Sequence, residues 1–328
     1  MTQGRLTYLV RSRRGRLVVT AVTGVLGLLF TLVAARHFAG APWPFSRGHP
    51  ALLVAAGGIS LLGYALKAFG WSQLFAANER PRPLSLLAAN GGAAVTALAL
   101  PGRFDDVVRI AIIRRFRGTG SPAGVRSVCL SLFMLGLIDA AALAPLALAA
   151  SLLPGHSLGV RLGLVLIAVI GFACGAVIFV MPRIAGSQRA LRFRIGRWVS
   201  PRTTPLREAS LAWVMVSANW LTRAVGLVVL LGALGVGFSF TLALLFLCAT
   251  SAAAAIPVGP GGTATQAGAG AAVLIASGIG VTEAVGATLA IQAVGILVGG
   301  LIFVSATAWR AGLQLRVRNQ PVRPVVVS

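Results

Sequence analysis

Leu100-Pro101-Gly102-Arg103-Phe104-Asp105-Asp106-Val107-Val108-Arg109 lies between two membrane-length apolar stretches and holds four charges, two of them from the chain's six acidic residues. Charged groups at membrane depth are costly and mark substrate or ion pathways. Irregular backbone there is tolerated only where protein or a wet cavity satisfies it. Pro101 lacks a donor and Gly102 can turn tightly, so the pair breaks a helix and frees backbone groups. The segment starting near Arg103 then presents a helix N-terminus, whose partial positive charge and unpaired N–H groups suit a phosphate or carboxylate. Arg103 adds a guanidinium fork that can hold two phosphate oxygens. Asp106 and Arg109, three apart, share a helical face and can pair. Two readings stand side by side: Arg103, Asp106 and Arg109 contact a substrate, or the four charges form a neutralised network that closes the chain reversal.

A second break, Pro257-Val258-Gly259-Pro260-Gly261-Gly262, interrupts another apolar run. Its spare N–H groups could cradle an anion, which makes Pro260, Gly261, Gly262 and the following Gln266 further candidate binding residues. The plain role of Thr263, Thr265 and Gln266 is to cap the next helix and satisfy freed backbone groups. Arg223 falls near the middle of an apolar run, beside Asn219 and Trp220. An arginine there costs about 2.5–3.5 kcal/mol on insertion scales and needs an interior partner. Asp139, central in another run, is the expected partner, and this structural pair stands beside a substrate role for Arg223. Lys67 is expected to snorkel toward the cytoplasm, and Glu283 to mark an interface. The cysteines (129, 174, 248) and histidines (37, 49, 156) are scattered without metal-ligand spacing, so neither metal nor cofactor is expected.

The elements that must position these residues are membrane spans. The 328 residues are 57% hydrophobic and 11% charged, and apolar runs of about 18 residues or more recur along the chain. The reading is an all-α polytopic membrane protein. The net charge of +23 does not point to nucleic acid, because the basic residues lie between apolar runs, as positive-inside anchoring requires. Five arginines precede the first run, seven lie in 183–207, and Arg310, Arg316, Arg318 and Arg323 occupy the tail. Both termini are therefore expected in the cytoplasm.

With those ends set, six full spans follow, at about 17–35, 51–77, 127–151, 161–181, 210–234 and 283–309. The first is read as an uncleaved span rather than a signal peptide, whose apolar region is about 7–15 residues. Residues 84–113 form a re-entrant hairpin on the cytoplasmic side, since both flanks are basic. Residues 238–279 read as a hairpin entering from outside, with two full spans as the alternative, because no lysine or arginine lies between Arg223 and Arg310. A single transmembrane domain results, with a first half 1–151, a second half 161–309 and a basic tail 310–328. The halves match as an inverted-topology repeat, an arrangement that in transporters places the site at the midplane.

Pro101-x-Arg103-x-Asp105-Asp106-x-x-Arg109, followed far downstream by Pro257-x-x-Pro260-Gly261-Gly262, resembles the lysylphosphatidylglycerol synthase transmembrane (flippase-like) family. That family usually reads Pro-x-Arg-x-Gly-Glu-x-x-Arg, then Pro-Gly-Gly with an acidic residue shortly after. Asp105 stands here for the usual glycine, and Gln266 near the place of the acid. The resemblance covers most of the chain and implies a domain that moves lipids across the bacterial cytoplasmic membrane. Members include the flippase half of aminoacyl-phosphatidylglycerol synthases and stand-alone relatives thought to handle lipid-linked sugars. It maps Arg103, Asp106 and Arg109 onto the first motif's charges, and Pro260, Gly261 and Gly262 onto the second. The aminoacyl-transferase domain is not in this sequence, so this chain reads as a stand-alone member.

The leading expectation is a non-enzymatic lipid translocase for an anionic phospholipid or a polyprenyl-phosphate-linked lipid, its partner being the lipid or lipid-linked glycan headgroup. The alternatives are a membrane enzyme acting on a lipid phosphate, with Asp105 or Asp106 as base or metal ligand, and a non-catalytic scaffold for cell-envelope glycosyltransferases.

Overall fold

The computed structural model describes residues 48–97, 104–115, 124–154, 157–185, 204–254 and 263–318. The expected first span, Pro101, Gly102, Arg103, most of the 183–207 loop, and Pro257 through Gly262 lie outside the described residues.

All regular structure among the described residues is helical: α1 (Pro50–Ser72), α2 (Pro83–Thr96), α3 (Phe104–Arg115), α4 (Val125–Leu152), α5 (Leu158–Ala185), α6 (Leu206–Ala233), α7 (Phe240–Ala254), α8 (Thr263–Ala276) and α9 (Val281–Arg318). Prolines at their first turns start α1 and α2, where the missing N–H would lack an intrahelical partner anyway. Helix α3 carries Asp105 and Asp106 in its first turn and Arg114 and Arg115 in its last, each sign opposing the helix dipole. Between α6 and α7, Gly235 and Gly237 take positive φ values of 79° and 113°, a conformation costly for residues with a Cβ.

Five helices, α1, α4, α5, α6 and α9, are long and apolar enough to cross a membrane. They match the second to sixth expected spans. Helices α2, α3, α7 and α8 have 14, 12, 15 and 14 residues, or at most about 23 Å at 1.5 Å per residue, short of a hydrocarbon core of about 30 Å.

Packing places large residues outside and small ones inside. Leu162, Leu166, Val169 and Ile170 of α5 are exposed, whereas Ala141, Ala144 and Ala147 of α4 are buried. This is the distribution expected where lipid is as apolar as leucine and close backbone approach supplies the attraction. Helix α1 lies against α6, α4 against α5, and α2 against both α3 and α9. The α1–α6 pair is antiparallel: His49 N–H donates to the Ala233 carbonyl, while Gly70 meets Ala212 and Val216. At the α2–α9 crossing, a Cβ on Gly91 would collide with the Gly299 carbonyl oxygen. Thr265 of α8 donates its hydroxyl to the Ala253 carbonyl of α7 at 3.1 Å, so one of the expected break residues ties the two short helices together.

Candidate functional site

Four residues of α1, Ser60, Tyr64, Lys67 and Trp71, recur at intervals of four, three and four. That spacing aligns them on one helical face. Three of them reach to other helices. Tyr64 donates its hydroxyl to the Gly295 carbonyl of α9 at 3.4 Å. Lys67 Nζ lies 2.6 Å from Asp139 Oδ2 of α4, and Trp71 Nε1 donates to Ser131 Oγ of the same helix at 3.1 Å. Polar links of this kind join α1 to α4. The lysine and aspartate side chains keep only 21% and 20% of their surface exposed, and the second oxygen of Asp139, Oδ1, is buried without a partner among the described residues.

This geometry corrects two expectations. Asp139 pairs with Lys67 rather than Arg223, and Lys67 is held by that bond rather than snorkelling. The reason lies in the α1 stripe, which carries Lys67 to α4. The guanidinium of Arg223 instead sits over the indole of Trp220, one turn earlier on α6, with 4.6 Å from Cζ to the ring centroid. Such stacking is a cation–π contact.

Arg223 is exposed, and among the described residues no carboxylate lies within ion-pair distance of it, although all six acidic residues of the chain are described. Beside it, Asn219 Nδ2 and Trp220 Nε1 are buried without partners among the described residues. Helix α1 reaches this place through Gly63, whose added Cβ would lie 3.1 Å from Asn219 Oδ1. A larger side chain there would push α1 away from Arg223.

On α3 the expected pairing is present. Arg109 Nη1 lies 2.5 Å from Asp106 Oδ1 and 3.1 Å from Asp105 Oδ2. Asp105, standing where the motif usually has glycine, thus shares the guanidinium with Asp106. The two carboxylates also occupy the first turn of α3, so the positive end of this helix already faces negative charge. Among the described residues, Arg109 Nε is buried and has no partner.

Arg223 also lies against α1: a Cβ on Gly63, next to Tyr64, would lie 3.8 Å from Arg223 Cγ. Helices α1, α4 and α6 thereby bring Tyr64, Lys67, Asp139 and Arg223 together, with Arg109 of α3 within electrostatic range of Lys67 and Tyr64. Gln266 lies half-buried in the first turn of α8, and no ion pair or hydrogen bond among the described residues joins it to this cluster. Arg103, Pro260, Gly261 and Gly262 are outside the described residues. Tyr64 was missing from the expected site, and its signal is the polar and aromatic stripe on α1, read above only as a span.

No curated protein and no solved structure matches the chain. One family model, described as the lysylphosphatidylglycerol synthase TM region, matches residues 15–302. That match takes in both interrupted motifs and every residue of the charged cluster, and the chain is a member of the lysylphosphatidylglycerol synthase transmembrane-region family.

Proposed function

We propose that this chain is a lipid translocase that moves an anionic phospholipid or a polyprenyl-phosphate-linked lipid across the cytoplasmic membrane. The observation that carries the reading is the placement of Lys67 and Arg223 beside Tyr64 where α1 meets α4 and α6, with Arg109 of α3 within electrostatic range, in a fold of membrane-length helices. Arginines hold phosphate through charge-assisted and bidentate hydrogen bonds. Arg223 is exposed and bonded to no carboxylate, and Arg109 keeps an unused Nε donor. Lys67 can turn from Asp139 to an arriving anion.

Two further features support an alternating-access route. The short pairs α2–α3 and α7–α8 fit re-entrant hairpins, since neither helix of a pair reaches across the core. Arg115, at the end of α3, also lies within electrostatic reach of Arg310 in α9, which supports an exit of the first hairpin on the side of the basic tail. The helix partnerships pair in a two-fold manner: α1–α2 with α6–α7, α2–α9 with α7–α4, and α3–α4 with α8–α9. Inverted repeats of that kind build transporters. Against the lipid-phosphate enzyme, Asp105 and Asp106 are both engaged by Arg109 and neither stands free as a base.

The test is reconstitution of the full chain in liposomes carrying fluorescent phosphatidylglycerol or a polyprenyl phosphate, with leaflet access read by chemical quenching. Arg223→Gln removes hydrogen bonds from a charged group, worth about 1.5–3 kcal/mol each, and slows movement about tenfold or more. Folded wild-type protein that moves no anionic lipid class overturns the proposal.

A further inference from the structure

Counted over the described residues, the cluster's charges balance: Asp139 bonds Lys67, Asp105 and Asp106 share Arg109, and Arg223 bonds no carboxylate. An entering phosphodiester brings one negative charge into a site where uncompensated charge is costly. Moving one proton onto a carboxylate would restore the balance.

The three carboxylates differ in their fitness for that proton. Asp105 and Asp106 share the Arg109 guanidinium in the first turn of α3, so each already has an ionic partner. Asp139 has one ionic partner, the ammonium of Lys67, on a long flexible stem. Its other oxygen, Oδ1, is buried and bonded to nothing among the described residues. When a phosphate attracts Lys67, Asp139 is left with neither oxygen paired. Among the side chains described on the elements packed against α4, the charged and titratable groups are Asp105, Asp106, Arg109, Arg114 and Arg115 on α3, Arg161 and Cys174 on α5, Arg207, Glu208 and Arg223 on α6, and Cys248 on α7, with Arg126 and Cys129 on α4 itself and Tyr64 on α1. Of the cations whose charge reaches Lys67, Arg109 is bonded to α3's own carboxylates and Arg223 stacks on the Trp220 ring.

We propose that Asp139 is a proton-binding site linked to headgroup binding: an anionic headgroup draws Lys67 away, and Asp139 takes up one proton in exchange. The inference rests on the headgroup site proposed above. On release the ammonium returns, the proton leaves Asp139, and the ion pair re-forms. Lipid movement is thereby linked to proton movement, and a proton gradient can bias its direction without any nucleotide.

The experiment is titration calorimetry of the full chain in micelles with short-chain dihexanoyl phosphatidylglycerol. Buffers of different ionisation enthalpy report the protons exchanged, and dihexanoyl phosphatidylcholine serves as the zwitterionic control. The expected result is uptake of about one proton per phosphatidylglycerol bound, with affinity falling up to about tenfold per unit rise in pH, as one-proton linkage requires. Asp139→Asn binds the lipid with no proton uptake, whereas Glu283→Gln, at an exposed carboxylate outside the cluster, retains uptake. Phosphatidylglycerol binding without proton uptake in the wild type, or uptake that survives in Asp139→Asn, overturns the proton site while leaving the headgroup site standing. If folded wild type binds no phosphatidylglycerol, the headgroup site itself falls and the proton site with it. The wild-type measurement decides alone if Asp139→Asn does not fold.

Discussion

Breaking the Lys67–Asp139 pair gives a sharp test of how the membrane-embedded site is held together. The two groups are 2.6 Å apart, with about four-fifths of each side chain removed from the surface. Removing one partner of a buried pair leaves an uncompensated charge, at a cost of about 3–5 kcal/mol. The residual exposure puts this pair at the lower end, so Lys67→Met or Asp139→Leu alone should each destabilise by about 3 kcal/mol. The double variant carries no orphaned charge and replaces the pair by two apolar side chains. It should therefore lie about 3–4 kcal/mol below wild type, against about 6 kcal/mol for the sum of the singles, a coupling energy of about 2–3 kcal/mol. That is about 30- to 140-fold in the unfolding equilibrium, at 1.4 kcal/mol per decade. Unfolding of the four proteins in mixed micelles by a denaturing detergent, followed by tryptophan fluorescence, reads the cycle directly. An ordinary interhelical hydrogen bond in a membrane averages about 0.6 kcal/mol. A coupling at or below that value would refute the reasoning, because the pair would then contribute no more than a neutral contact and the α1–α4 link would rest on packing.

Two other perturbations probe the frame around the site. Gly91→Ala drives a methyl into the Gly299 carbonyl on α9 and should cost about 1–3 kcal/mol by overpacking. Gly268→Ala meets nothing within 4 Å and should be neutral or stabilising by up to about 1 kcal/mol in the same unfolding assay. Gly261→Cys in right-side-out membranes should react with an impermeant thiol reagent from outside, and strong labelling only from the cytoplasmic face would replace the outer hairpin by two full spans.

Much of the scaffold was legible in the sequence. Five expected spans coincide with long helices to within a few residues at most ends, because hydropathy over about 20 residues reports the one property that a bilayer selects most strongly. The short segments on either side of each Pro-Gly break also emerged as separate short helices, since proline and glycine act on the local backbone. The pairing of Asp106 with Arg109 was legible for the same reason: it depends only on spacing within one helix.

Partners between helices were a different matter. By hydropathy and position alone, Arg223 was the expected partner of Asp139, and Lys67 was expected to snorkel to the cytoplasm. Which one reaches it depends on helix rotation and on close approaches such as Gly63 against Asn219, and these arise from packing of several helices at once. The sequence by itself determined that the chain lives in a membrane, where its helices begin and end, and which few charges are too costly to be incidental. Only the tertiary structure decided that Lys67 holds Asp139, that Arg223 lies over Trp220 without a carboxylate, and that Tyr64 sits among the cations. Hydrophobicity is summed along a segment and is read locally, whereas an ion pair between helices is settled by a few ångströms of approach between segments far apart in the chain.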